Sequence, residues 1–274
     1  MLKLYETRMR EVLPIEGRDG TLKVYCCGPT VYRDAHVGNL RTFLLSDLIS
    51  RAASLSGLKV TLIQNITDVG HMANDLEDKI LAQSKSESLD PFVIARKYEE
   101  RFHLDLERLN IEPAKAYPRA SENIPLMISA IEKLIADGSA YIATDGNVYF
   151  DAQSFPTYGA ISGNRLDSLK LGRYEYSEDG AKRFHADWAL WKLARDRTEM
   201  IWPTPWGDGY PGWHIECSAM SIEYLGKEID LHVGGIDLRF PHHENERAQS
   251  NALTGSETVT HLSLIHISEP TRRS

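Results

Sequence analysis

Apolar residues along this chain gather in short continuous runs separated by longer stretches of helical spacing. The run "TLKVYCCGPTVY" ends at Gly28-Pro29 and predicts a buried strand feeding a turn. Apolar positions then recur at Val37, Leu40, Phe43, Leu44, Leu48, Ala52 and Leu55, which is helical spacing, and Gly57 marks the stop. "LKVTLIQNITD" reads as a second buried strand. Strand, helix, strand in this order predicts a βαβ unit and a parallel sheet.

A loop, "GHMANDLED", follows. "DPFVIARKYEERFHLDLERLN" predicts a helix with Asp90 as N-cap and Pro91 in its first position. "SENIPLMISAIEKLIADG" predicts another, with Ser121 as N-cap and Gly138 beyond its end. From Ala140 to about Leu193 the chain turns rich in Tyr, Gly and Asp, and "TDGN" has the chemistry of a hairpin turn. We expect an antiparallel β-rich subdomain inserted here between two halves of the main sheet. "PGWHIECSAMSIEYLG" reads as a helix, "IDLHVGG" as a strand, and "PHHENERAQSNALTG" as a helix ended by Gly255.

Composition narrows the class. The 274 residues are 42% hydrophobic and 26% charged, as in an ordinary soluble α/β protein of one large or two smaller domains. No apolar run is long enough to span a membrane, so no membrane partner is expected. The N-terminus lacks the apolar core of a signal peptide. The formal charge of −8 argues against a general nucleic-acid coat, leaving room for a local basic patch. Three cysteines, Cys26, Cys27 and Cys217, make a poor disulfide framework, and the expected compartment is the cytoplasm.

Candidate chemistry lies in three places. Cys27, Cys217, His242 and Glu246 offer thiolate, imidazole and carboxylate, which suit tetrahedral Zn²⁺. None sits in a compact knuckle, so small buried thiols remain the alternative. Cys27 is preferred to Cys26 because it abuts Gly28 at the strand's C-terminal edge, where α/β ligands bind, and neighbouring strand side chains alternate. The second place is "PTVYRDAHVGN", where His36, Gly38, Asn39 and helix N-terminal amides can hold a polyphosphate; His36 as a plain helix cap is the alternative. The third is "LHVGGID", where Gly234 and Gly235 precede Asp237, a candidate ribose contact. Trp213 and His232 could wall a small pocket, against core packing for Trp213 and a turn or cap for Asp237.

The segments "CGPTVYRDAHVGN", "QNITDVGH", "WALWK", "GWHIECSAM" and "DLHVGGIDLRFPHHENERAQS" occur in this order. Together they closely resemble the catalytic region of bacterial cysteinyl-tRNA synthetases, a class I family, over about Met1 to Thr260. The resemblance implies a Rossmann-type parallel-sheet nucleotide-binding domain split by an inserted connective subdomain. Its expected parts are residues 1–110 as the first half, 111–198 as the insert, 199–261 as the second half, and 262–274 as a tail. It implies zinc held by Cys27, Cys217, His242 and Glu246, with His243 and Glu244 as neighbours of the site. It implies ATP with Mg²⁺ bound by His36, Gly38, Asn39, Gly234, Gly235 and Asp237. His36 and Asn39 match the first nucleotide signature and are the expected catalytic pair. L-cysteine would be bound by Gly28, Thr67, Trp213 and His232. The implied reaction activates L-cysteine with ATP and passes it to tRNA(Cys). Zinc would select the substrate thiolate over the serine hydroxyl, a distinction an apolar pocket makes poorly. A related ligase joining cysteine to an amino sugar, and a non-catalytic zinc- or nucleotide-binding fragment, share these signatures.

The stretch "LSLIHISEPTR", Leu262 to Arg272, resembles the translation of a sequencing adaptor and is set apart from fold reasoning as a non-native tail; a genuine short tail is the alternative. The expected consequences are loss of the last parallel strand, an exposed sheet edge, and lower solubility. The family's second signature, a lysine-rich K-M-S-K-S loop, and its anticodon-reading domain fall downstream of this point. The chain as given is therefore expected to carry out cysteine-dependent ATP–pyrophosphate exchange more than about tenfold more slowly than a full-length relative, because the lysine that steadies pyrophosphate charge is missing.

Overall fold

The computed structural model describes residues 2–74, 77–166, 169 and 181–266. The chain opens on an antiparallel hairpin of β1 (Lys3–Glu6) and β2 (Glu11–Pro14). The main sheet begins with β3 (Thr21–Cys26), crosses over through α1 (Val37–Leu55) and returns in β4 (Lys59–Gln64). These strands pair in parallel, as a helical crossover requires. Gly57 follows the helix at φ +87°, a conformation glycine adopts without strain.

The buried face of α1 differs from the expected one. Val37, Leu48 and Leu55 are exposed, whereas Thr42, Phe43, Ser46, Asp47, Ile49 and Ala53 face inward. Asp47 tolerates burial because its carboxylate accepts from Arg51 Nε at 2.8 Å and from the Glu112 amide at 3.0 Å. Satisfied polar groups thus occupy part of the stripe that an apolar count assigns to Leu48.

The long loop after β4 folds into a small hairpin, β5 (Met72–Asn74) and β6 (Glu77–Asp78), leading into α2 (Lys79–Glu87). α3 (Pro91–Arg108) starts as expected, with Asp90 Oδ1 accepting from the Phe92 and Val93 amides. α4 (Ile124–Ala136) does not start at Ser121. Pro125 has no amide hydrogen and belongs in a first turn, so the helix begins at Ile124 behind Asn123. Ser121 instead donates its amide and hydroxyl to the Asp68 carboxylate, at 2.9 and 2.7 Å.

The second sheet is antiparallel, in the order β10-β9-β8-β7, from β7 (Ala140–Ile142), β8 (Val148–Phe150), β9 (Trp188–Leu193) and β10 (Gly209–Pro211). The Asp145–Gly146 turn joins β7 to β8, with Gly146 at φ +83°. The last strand of this sheet lies past residue 198, so the antiparallel unit reaches beyond the expected boundary of the insert. α5 (Trp213–Leu225), β11 (Ile229–Gly235) and α6 (His242–Thr254) then return to the main sheet, which closes with β12 (Val259–Ile265).

The four-stranded parallel sheet has the order β12-β11-β3-β4. The expected loss of its last strand does not occur. β12 pairs with β11 as far as Ile265, using Leu262 to Ile265 from the segment set apart above. Its outer side is not bare: the Thr7 amide donates to the Leu262 carbonyl at 2.8 Å, and Glu6 accepts the Leu262 amide at 3.2 Å. Residues 267–274 of that tail lie outside the described residues.

Asp68, just past the end of β4, ties three elements together. It is fully buried, takes both donors of Ser121, and pairs with Arg96 on α3. Removing one partner of such a cluster strands the others without a charge. Asp68→Ala is expected to lower stability by about 3 kcal/mol, read as a fall in the urea midpoint with an unchanged slope.

Candidate metal centre and nucleotide cavity

The C-terminal ends of β3 and β11 meet α5 and α6, and four side chains of three chemical types converge there. Cys26 and Cys27 part company as strand alternation requires: Cys26 joins the main core, Cys27 a smaller cluster with Cys217. α5 brings Cys217, and α6 brings His242 and Glu246 on one face, four residues apart. Among Cys27, Cys217, His242 and Glu246, one ligand atom from each lies within 4.8 Å of all the others. Cys27 Sγ is 3.8 Å from Cys217 Sγ, 3.8 Å from His242 Nε2 and 3.4 Å from Glu246 Oε1. Tetrahedral zinc with bonds of about 2.3 Å sets two sulfurs roughly 3.8 Å apart. The quartet therefore fits such an ion in both donor chemistry and spacing. All three cysteines are free thiols.

The structure adds two imidazoles to this centre. His232 Nε2 lies 3.2 Å from Cys27 Sγ, and His243 completes a second compact set with Cys27, His232 and Glu246. Both sets use Cys27 and Glu246. His243 is buried, and neither of its ring nitrogens has a hydrogen-bond partner among the described residues. Glu244 points elsewhere: its carboxylate accepts the Ile161 and Ser162 amides at 3.1 and 2.9 Å and so fastens the connective segment to α6.

Burial governs the protonation of the quartet. It pushes the Cys27 thiol well above its ordinary value. The hydrogen bond from Cys27 pulls Cys217 down, but burial and the Glu246 charge outweigh it and leave Cys217 raised to about 11. Burial lowers His242 to about 4 and His232 to about 3. Burial alone would raise Glu246, yet the facing His242 and His232 imidazoles hold it well below the usual carboxylate range.

Beside this centre opens a cavity of about 630 Å³. Of the expected site residues, Cys27, Gly28, His36, Asn39, Trp213, Gly235, Asp237 and His242 line it. His36 does cap α1: its Nδ1 accepts the Gly38 and Asn39 amides at 3.1 and 3.4 Å. Those two amides are thus engaged by the His36 ring in this structure. An accepting Nδ1 places the ring hydrogen on Nε2, so His36 keeps one donor for a ligand. Asn39 Oδ1 accepts the His36 amide at 3.4 Å, leaving its amide nitrogen as a further donor. Burial raises the Asp237 carboxyl from its ordinary value.

Other expected contacts lie off the cavity. Gly234 does not line it; a Cβ there would stand 2.4 Å from His243 Nε2, so this glycine makes room for that ring. Gly38 and Thr67 are buried and do not line it either. The Thr67 backbone instead bonds Pro29 O and the Val31 amide at 3.0 and 3.1 Å and sets the cavity rim. His232 faces the Cys27 thiol rather than the cavity. Gly28 is needed for a close approach, since a Cβ on it would fall 1.5 Å from Asn65 O.

Three residues of this neighbourhood were not singled out from sequence. Asn65 Oδ1 accepts the Gly28 amide at 2.9 Å. His214 Nδ1 lies 2.9 Å from His242 Nδ1 and orients that imidazole, as partners of metal-binding histidines do. His71 stacks on Trp213. Asn65 and His71 sit inside the quoted motif "QNITDVGH" and His214 inside "GWHIECSAM", where polar residues beside apolar ones were the available signal.

Comparison with known proteins agrees with this geometry. A family model described as the tRNA synthetases class I (C) catalytic domain matches residues 14–269. The chain belongs to this family. It is 46% identical over 256 residues to a cysteine–tRNA ligase of Thermus thermophilus, covering 92% of this chain and 53% of the relative. It is 42% identical over 266 residues to one from Chlorobaculum tepidum, covering 94% and 54%. The chain spans about half the length of the curated relatives it matches. The fold is shared with methionyl-tRNA synthetase of Mycobacterium tuberculosis, solved with methionyl-adenylate, at TM-score 0.66 and 12% identity over 89% of this chain and 56% of that one. No helix among the described residues is long and apolar enough to cross a membrane.

Because both thiols are raised, a soft divalent ion must displace their protons on binding, and affinity rises with pH through neutrality. Cobalt(II) titration is expected to reach about one ion per chain with a thiolate charge-transfer band in the near ultraviolet. Calorimetry in buffers of different ionisation enthalpy should register net proton release. Cys27→Ala should abolish the band.

Proposed function

We propose that this chain is the catalytic portion of a cysteine–tRNA ligase, which activates L-cysteine with ATP and transfers it to tRNA(Cys). The observation that carries this reading is the buried quartet of Cys27, Cys217, His242 and Glu246 opening on the cavity beside the α1 N-terminus. The relatives named cysteine–tRNA ligase support it.

Zinc held by the quartet would supply a soft Lewis acid that prefers a substrate thiolate to a serine hydroxyl. The chain's own residues do the rest. His214 fixes the His242 ring, and the thiol of a bound amino acid would sit between Cys27 and Trp213 at the cavity wall. His36 Nε2–H and the Asn39 amide aim at the α-phosphate, where charge grows as the amino-acid carboxylate attacks. Gly235 lets the ligand approach the backbone after β11, and Asp237 stands ready for the ribose hydroxyls. The protein thus contributes positioning and electrostatics, with no covalent intermediate on a side chain. ATP arrives with Mg²⁺. The domain division follows the same reading: a nucleotide-binding domain interrupted by a connective unit that carries the antiparallel sheet.

A second cavity, of about 1010 Å³, lies between the β5–β6 hairpin and the antiparallel sheet and shares Trp213 with the first. Lys182, Lys192 and Arg195 line it beside Glu77, Asp78, Asp196 and Glu199, so its wall carries charges of both signs.

The test compares zinc-loaded and chelated protein in binding non-hydrolysable sulfamoyl analogues of cysteinyl- and seryl-adenylate. Zinc-loaded protein is expected to favour the cysteinyl form by at least about tenfold, and chelation should collapse that preference. Equal affinity for both analogues in zinc-loaded protein would overturn the reading.

A further inference from the structure

The loop between β4 and α2 delivers His71 into the wall of the first cavity and holds it there. Asp78, at the loop's far end, caps α2 through the Ile80 amide at 2.8 Å and accepts the Gly70 amide at 2.9 Å. It also pairs with Arg197 at 3.3 Å, and that guanidinium lies 4.0 Å from the centre of the Tyr210 ring. The Lys79 amide closes the loop by donating to the His71 carbonyl at 3.0 Å. The His71 ring is stacked on Trp213, 3.8 Å between centroids and 12° between planes. Trp213 also packs 4.1 Å from the His242 ring.

Both ring nitrogens of His71 are engaged. Nε2 lies 2.6 Å from Lys79 Nζ, and Nδ1 lies 2.5 Å from Thr30 Oγ1. An ammonium group only donates, so Nε2 accepts and the ring hydrogen sits on Nδ1. Nδ1–H then donates to Thr30 Oγ1. The hydroxyl's own hydrogen must therefore point away from His71. Thr30 lines the same cavity as Cys27, His36, Asn39 and Trp213.

We infer that Lys79, His71 and Thr30 form an oriented hydrogen-bond chain that makes the Thr30 hydroxyl a donor to the ligand in this cavity. Thr30 is the contact, and His71 is a positioning residue acting through it. The inference rests on the functional reading above. The acceptor is an oxygen of the aminoacyl-adenylate, on its carbonyl or its phosphoryl group. Successive donation polarises each bond in such a chain, so losing an inner member weakens the outer contact.

Calorimetric binding of the cysteinyl-sulfamoyl analogue to the zinc-loaded chain tests this. Thr30→Val is expected to weaken binding about tenfold, the loss of one hydrogen bond to a strongly polar acceptor. His71→Phe keeps an aromatic ring on Trp213 but cannot donate, and should weaken binding to about the same degree. The double variant should be no weaker than Thr30→Val, because both changes break one chain. His71→Asn places an amide N–H near the Nδ1 position and should stay within about threefold of the unaltered protein. AMP separates the two acceptors: an equal loss towards AMP assigns the phosphoryl oxygen, and an unchanged AMP affinity assigns the carbonyl. Unaltered affinity in His71→Phe, or losses that multiply in the double variant, would overturn the inference alone. Absence of binding by the unaltered chain would overturn the functional reading and this inference with it.

Discussion

A fully buried, ionised carboxylate is the constraint around which this molecule is built. Glu246 is buried on α6, and its charge must be answered by what surrounds it. The answer comes from two separate parts of the chain, Cys27 after β3 and His232 on β11, together with His242 one turn back on its own helix. Replacing that convergence with apolar packing would leave the carboxylate uncompensated. The arrangement makes sense as the inner wall of a cation site, where the ion's charge inverts the logic that keeps both thiols protonated.

The same helix shows how a polar element can be buried on nearly every side. α6 has no apolar face to speak of, yet eight of its residues are buried. Each side has its own partner. His242 and Glu246 face the thiols, while Glu244 fastens Ile161 and Ser162. Asn245 accepts the Tyr158 hydroxyl at 2.5 Å, and Gln249 accepts the Trp188 indole N–H at 3.2 Å. The face that carries His242 and Glu246 and the face that holds Ile161 and Ser162 are thus opposite sides of one helix. His243 alone breaks the pattern, and Gly234 leaves the space its ring occupies.

How much of this could be read from the sequence depended on whether the signal was local. Gly57, Asp90–Pro91, the Asp145–Gly146 turn and Gly255 each act through their own backbone, and the elements they bound were found where expected. Ser121 misled because it is a good cap in isolation, while Pro125 four residues on fixes the true helix start. The inward face of α1 misled because Asp47 is buried with its partners, and one of those, the Glu112 amide, is far along the chain. The quartet of ligands has no compact spacing at all. Its four residues became readable only through the ordered set of motifs that resemble one family.

His36 shows most clearly what geometry adds to a motif. From sequence, capping the helix and binding a phosphate were competing roles. In the structure the cap uses one nitrogen of the ring: Nδ1 receives the amides of the first turn, and that bond commits the hydrogen to Nε2. Capping is therefore what prepares the donor. His71 follows the same logic in the cavity wall, where Lys79 fixes one nitrogen and so dictates the other. Two histidines lining the cavity are each held in one tautomer by a hydrogen bond at one ring nitrogen. Orientation of this kind is set before the ligand arrives, so little reorganisation remains to oppose the reaction when charge moves.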